Sequence, residues 1–266
     1  MKNLIYLFFK ILGIRVTKFK SALKNQQLID NQKLLISKLN FILTNTKIEN
    51  TKDLGLIVEH SKSQISQDIF VLDILNLKKN GYFVEIGAAS GVHFSNTYLL
   101  EKLFNWEGIL SEPAKVWKKS LKENRTSILD FRPVYKNSGE ILEFIETDEP
   151  MYSTISNYKN SDKHSLVRKN ITNIYKLETV SLNDLLKEYN SPKIIDYISI
   201  DTEGSELEIL KNFDFSSYTF NCITVEHNNT VNKDSIDKLL TDKGYTKAFS
   251  DYSKYESWFI NNNLKK

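Results

Sequence analysis

The stretch Tyr82-Phe83-Val84-Glu85-Ile86-Gly87-Ala88-Ala89-Ser90-Gly91 constrains this chain more than any other. A short apolar run ends in two glycines three small residues apart, the pattern of a buried strand entering a tight turn that leads to a helix, predicted from His93. The glycines adopt left-handed backbone without strain and carry no Cβ to keep a ligand away, and a following helix presents unpaired N–H groups. The spacing is not the G-x-G-x-x-G of nicotinamide enzymes, nor does it end in the Gly-Lys-Ser/Thr of a P-loop. Glu85 at the strand end repels a diphosphate and suits a ligand bearing an ammonium or sulfonium charge.

Three further segments follow in order: Ser95-Asn96-Thr97-Tyr98-Leu99-Leu100-Glu101, Trp106-Glu107-Gly108-Ile109-Leu110-Ser111-Glu112-Pro113, and Ile198-Ser199-Ile200-Asp201-Thr202-Glu203-Gly204 running on to Leu210. With the glycine loop, these resemble the FkbM family of S-adenosylmethionine-dependent methyltransferases from about Gln67 to the C-terminus. The departure is Ala89-Ser90, where the family more often places Asn or Asp and then a variable residue. The resemblance implies an α/β, Rossmann-like class I methyltransferase fold: a mainly parallel seven-stranded sheet with a C-terminal antiparallel hairpin. It also implies S-adenosylmethionine as cofactor, and O-methylation, often of a sugar in a polysaccharide, glycolipid or secondary metabolite.

Residues 56–266 are expected to form that domain and residues 1–55 a helical extension. Of the formal net charge of +3, six positive charges lie before the first acid, Asp30, leaving −3 for the remainder. No basic stripe interleaved with aromatics runs through the catalytic part, which argues against nucleic acid as partner. Leu4-Ile5-Tyr6-Leu7-Phe8-Phe9 with Ile11-Leu12 is too short to span a bilayer; at helical spacing it forms an apolar face suited either to an anionic membrane surface or to docking on protein. Leu28, Leu35, Leu39 and Ile42 lie at heptad-like spacing, interrupted by Gln32, and suit a linking helix or a short homo-oligomeric seam. A linker is expected over Asn45–Gly55. The single cysteine, Cys222, excludes an intramolecular disulfide and fits a reducing, cytoplasmic setting, with contact to the inner face of a membrane as the alternative.

Ligands of open α/β sheets bind beyond the carboxyl ends of the strands, and Glu85, Glu112 and Asp201 fall at such ends. Glu112 follows Gly91 by about twenty residues, the distance at which a carboxylate, a pure acceptor, meets two ribose hydroxyls. Gly87, Ala88, Ala89, Ser90, Gly91 and Pro113 are expected around the cofactor, Tyr135 and Lys136 beside its adenine, and Glu203 close to Asp201. The family resemblance adds Gln67 and Asp68 at its amino-acid end, and Asp201 beside the transferred methyl.

A third strand is predicted over Ser127–Val134 and a helix over Ala114–Asn124. Thr147–Leu177 is polar and without period, so it is expected to be an acceptor-binding lid carrying Tyr152, Tyr158, His164 and Arg168. Methylating a hydroxyl requires a base. His227, in Glu226-His227-Asn228 at the end of a fifth strand, is the first candidate and His164 the second; alternatively Asp201, Glu226 and His227 hold a Mg²⁺. Two other readings are a non-catalytic module on the same fold, tethered by its basic helix, and a nicotinamide dehydrogenase. Intact Glu85, Gly87, Gly91, Glu112 and Asp201 weigh against the first, and the loop spacing against the second.

Overall fold

The computed structural model describes residues 16–48 and 51–264, so the apolar face at Leu4–Leu12 lies outside the described residues. The chain divides into two compact units, residues 1–47 and 48–266. The first holds helix α1 (Val16–Asn45), on which Leu28, Leu35 and Leu39 are exposed. No described helix is long and apolar enough to cross a membrane. The second unit begins with α2 (Thr51–His60), which occupies part of the segment expected as linker.

The second unit is built on a seven-stranded sheet. Its strands are β1 (Tyr82–Ile86), β2 (Glu107–Ser111), β3 (Ile128–Asp130), β9 (Ile194–Ile200), β10 (Thr219–Glu226), β11 (Tyr245–Ala248) and β12 (Glu256–Asn261), in the order β3-β2-β1-β9-β10-β12-β11. Neighbours are parallel except β12, which runs antiparallel to β10 and β11 and closes the sheet with the expected hairpin. The central strands are covered on both faces, so buried positions follow one another along them instead of alternating with exposed ones. Val84, Ile86, Ile198, Ile200, Ile223 and Val225 are all within the main core. This is the Rossmann-like methyltransferase architecture, and it brings the ends of β1, β2, β9 and β10 to one edge.

Several local expectations are corrected. The glycine loop does not run into a helix at His93; the next helix is α4 (Tyr98–Phe104), preceded in chain order by α3 (Gln67–Ile74). Phe94 is left-handed (φ 58°), and Ser95, Asn96 and Thr97 turn onto Glu85 instead of starting a helical ladder. Pro133 breaks the predicted third strand, because it has no N–H for a ladder. What results is β3 and a separate β4 (Val134–Tyr135), paired with β8 (Val180–Ser181). A 3₁₀ turn at Lys115–Trp117 precedes α5 (Lys118–Asn124) where one helix was expected.

The predicted unpatterned lid is largely ordered structure. β5 (Ile141–Thr147) pairs antiparallel with both β6 (Thr154–Ile155) and β7 (Ile171–Glu178). Phe144 and Ile155 pack with Ala114 and Tyr135, and Tyr175 and Leu177 lie against them. 3₁₀ turns at Pro150–Tyr152, Ser156–Tyr158 and Lys163–Lys169 complete the segment.

Candidate active site

At the edge where the strands end, Gly87 (φ 88°) turns the chain after β1, its N–H donating to the Ser111 carbonyl at 2.9 Å. A Cβ there would sit 1.8 Å from the Asp201 carbonyl oxygen, so only glycine lets the two loops approach this closely. Ala89, also left-handed (φ 45°), donates its N–H to Glu112 Oε2 at 2.7 Å, and Ala114 N–H donates to Oε1 at 2.7 Å. Burial pushes the Glu112 carboxyl up to about 7. Each of its oxygens retains a lone pair, and the residue lines a first cavity with Pro113, Trp117, Val134, Phe144 and Ile155. Tyr135 and Lys136, expected beside an adenine, do not line it. The Tyr135 hydroxyl lies 3.2 Å from that of Tyr158, and the Lys136 ammonium sits over the Tyr135 ring.

A second cavity is bounded by Gln67, Glu85, Ala88, Asn96, Ser199 and Glu256 among others. Gln67 Nε2 donates to Glu256 Oε1 at 2.6 Å, and burial pushes the Glu256 carboxyl up to about 8. Asn96 Nδ2 donates to Ser199 Oγ, while its buried Oδ1 has no partner among the described residues. Glu85 is committed internally: it accepts from Ser95 Oγ, Asn96 N and Thr97 Oγ1, with the Arg125 guanidinium 3.5 Å away. Its Oε2 is spent on the loop, while Oε1 accepts only from Asn96 N, and the residue lies in the second cavity's wall. Asp68 is absent from the walls of these three cavities; its Oδ1 accepts from Ser61, Ser63 and the Ile69 amide. The Ser90 hydroxyl accepts from the His93 amide and braces the turn, and Gly91 packs against Leu121 and Arg125.

The third cavity, at about 320 Å³ the largest of these three, has His164, Tyr152, Glu226, Asn228 and Tyr255 in its wall. The His164 ring stacks on Tyr152, with centroids 4.3 Å apart and planes at 21°. Burial lowers the His164 pKa, opposed by Asp162 and reinforced by Lys163 and Arg168. Arg168 is spent on structure: it is buried and pairs with Asp162 at 2.8 Å and Glu203 at 2.5 Å, fixing the lid to the turn after β9. Tyr158 packs beside Gly204 and is absent from the cavity wall. Met151 and Asp201 border all three cavities.

His227, the first candidate for the base, faces away. Glu226 and Asn228 reach the third cavity and His227 does not; β10 ends at Glu226, and the left-handed Asn228 (φ 47°) turns the chain there. His227 lies near Lys233, Asp237 and Lys247, with Nδ1 accepting from the Asn229 amide and Nε2 buried without a partner among the described residues. The Mg²⁺ site expected from Asp201, Glu226 and His227 loses its histidine. Glu203 brings a third carboxylate within 4.8 Å of Asp201 and Glu226, but it already pairs with Arg168. Asp201 and Glu226 are both pushed above the ordinary carboxylate range chiefly by burial, and no Mg²⁺ is assigned.

The description "Methyltransferase FkbM domain" matches residues 85–247, more than half of the chain. The chain belongs to the FkbM methyltransferase family. No curated protein matches it. Among solved structures it is similar to methyltransferase FkbM from Methylobacillus flagellatus KT, at 10% identity and TM-score 0.44 over 88% of this chain and 59% of that one. It is also similar to precorrin-6y C5,15-methyltransferase from Geobacter metallireducens GS-15 (14%, TM-score 0.38, 76% and 89%). A third is the N-terminal domain of human METTL16 in complex with SAH (13%, TM-score 0.41, 86% and 81%). None of these likenesses bears on the acceptor.

The residues present fit the S-adenosylmethionine that an FkbM methyltransferase uses. Glu112 keeps two acceptor sites in the first cavity, and the second offers an unpaired buried amide oxygen on Asn96 beside Glu256. Glu112 would thus hold the ribose, and Gln67, Asn96 and Glu256 the amino-acid end. Trp117, Phe144, Met151, Asn96 and Glu256 escaped the sequence reading, although Asn96 lies inside a quoted motif and its unpaired buried oxygen was the only signal lacking.

Proposed function

We propose that this FkbM methyltransferase transfers a methyl group to a hydroxyl oxygen of a sugar in a polysaccharide, glycolipid or secondary metabolite, with His164 accepting the hydroxyl proton. The observation that carries the reading is that Asp201 and Met151 wall all three cavities, so the cofactor side and the histidine-bearing side meet at one place. The cofactor supplies an electrophilic methyl on a sulfonium. The chain supplies alignment and a proton acceptor, the two things such a displacement needs. Tyr152, Tyr255 and Asn228 give the third cavity aromatic faces and hydrogen-bonding groups suited to a polyhydroxylated ring.

Calorimetry with S-adenosylhomocysteine should show one site per chain, weakened by about 1–3 kcal/mol in Glu112→Ala. The Glu112 carboxyl, held at about 7 by burial, accepts ribose hydrogen bonds best when ionised, so affinity should fall as the pH drops through that value. Glu112→Gln should flatten this dependence. NADH binding with no response to S-adenosylhomocysteine would refute the cofactor assignment. For the acceptor, methyl-¹³C label should enter polysaccharide or glycolipid fractions of the producing organism as methoxyl; label found only as N-methyl would refute O-methylation.

A further inference from the structure

We propose that Met151 is the residue by which the lid holds the sulfur end of the cofactor, at the boundary between the cofactor cavities and the acceptor cavity; this rests on the cofactor reading above. The first and second cavities share Gly87, Ala89, Met151 and Asp201 in their walls. A cofactor with its ribose on Glu112 and its amino-acid end near Gln67, Asn96 and Glu256 crosses the boundary that these shared residues form. Its sulfur joins those two ends, so the sulfur is the part that meets them. Gly87 has no side chain there, Ala89 offers a methyl and Asp201 a carboxylate. Met151 supplies the long apolar side chain of the set.

The neighbours of Met151 in its turn face one cavity or another, and Met151 faces all three. Pro150 lines the first cavity, while Glu149 and Tyr152 line the third. Among the described residues of the lid, Met151 alone reaches the second cavity, whose other walls come from the region around α3 and the glycine loop and from the starts or ends of sheet strands. An unbranched, polarisable thioether with three rotatable bonds suits such a junction, because it can fit its surface to whatever crosses it.

The backbone that carries this side chain is tied to the turn that carries Asp201. Thr147 Oγ1 donates to the Glu149 carbonyl at 2.6 Å, before Met151. After it, Arg168 Nε donates to the Tyr152 carbonyl at 2.9 Å, and the same guanidinium pairs with Glu203. Thr154 Oγ1 donates to the Glu203 carbonyl at 3.1 Å. The two turns are thereby held against each other, and the half-buried Met151 side chain is left as the part that adapts.

The test uses full-length protein grown on [methyl-¹³C]methionine. Met1 and Met151 are the two methionines of the chain, and the spectrum of Met151→Leu assigns the second. Titration with S-adenosylhomocysteine should move the Met151 signal in step with calorimetric saturation. Met151→Ala should weaken S-adenosylhomocysteine by about tenfold or more, the loss expected from uncovering two or three carbon-sized groups. Adenosine, which lacks the sulfur and the amino-acid end, should lose less. Met151→Leu, apolar and of similar volume, should restore S-adenosylhomocysteine binding, which a general loosening of the lid would not predict from Met151→Ala alone. A Met151 signal unmoved at saturation, wild-type affinity in Met151→Ala, or an equal loss for adenosine in that variant would overturn the proposal; should Met151→Ala not fold, the wild-type titration decides. Wild-type protein that binds no S-adenosylhomocysteine would overturn the cofactor reading and this one with it, whereas S-adenosylhomocysteine bound beside an unmoved Met151 overturns this one alone.

Discussion

His164→Ala should reduce methyl transfer by about 10²–10⁴-fold, the usual contribution of a general base, while affinity for S-adenosylhomocysteine is retained. The sign of the pH dependence follows from the environment. Burial places the His164 pKa below the ordinary 6.5, against the pull of Asp162, so the ring is neutral and competent at pH 7. Activity should therefore rise with pH through a value lower than that of a free imidazole, and this limb should vanish in His164→Ala. His227→Ala, on the far side of β10, should leave turnover per folded molecule unchanged. Loss of the limb in His227→Ala with its survival in His164→Ala would sink the assignment.

The choice between these two histidines shows what the sequence could and could not convey. Glu226, His227 and Asn228 are adjacent, but β10 ends at Glu226 and Asn228 is left-handed (φ 47°), so no strand period assigns their sides. His164 was harder to place, because its segment is built on pairing between residues about thirty apart: β7 meets β5 through Phe144 and Tyr175, while Ile171 and Ile174 are exposed and blur the alternation. The parallel core was legible for the opposite reason. Strands buried on both faces read as largely apolar stretches without alternation, and Glu85, Glu112 and Asp201 fall at or next to their ends.

Proximity to a strand end nevertheless did not reveal what each acid does. Glu112 takes one backbone N–H on each oxygen, whereas Glu85 also ties Ser95, Asn96 and Thr97 of the following loop together beside Arg125. Arg125 carries no motif that would announce it. It closes α5, about thirty-four residues beyond the loop it supports, and long-range pairing of that kind leaves no periodic trace in a single sequence.

Arg125→Ala should destabilise the fold by about 3–5 kcal/mol, because it strands buried carboxylates. The guanidinium is fully buried. Nε donates to Glu101 Oε2 at 2.8 Å, the terminal nitrogens donate to the Gly91 carbonyl, Ser95 Oγ and Thr97 Oγ1, and Glu85 lies at 3.5 Å. Burial alone would raise the Glu101 pKa, yet Arg125, followed by Lys102, Ser127 and Thr126, holds it at about 2. Its depressed value means that this stabilisation is complete above the unfolded pKa of about 4.5 and fades only as the pH falls toward 2. In Arg125→Ala the orphaned carboxylates regain protons far more readily. The deficit measured by urea unfolding should therefore be greatest near pH 7 and shrink toward pH 4, where wild-type Glu101 is still ionised. Arg125→Met combined with Glu101→Met should recover part of the loss by removing both charges together. Because the same guanidinium holds the Gly91 carbonyl and Ser95, cofactor affinity should weaken in the single variant even at temperatures where it is folded. A deficit below about 1 kcal/mol, the range of an exposed pair, would show that the network under the glycine loop is not what holds it.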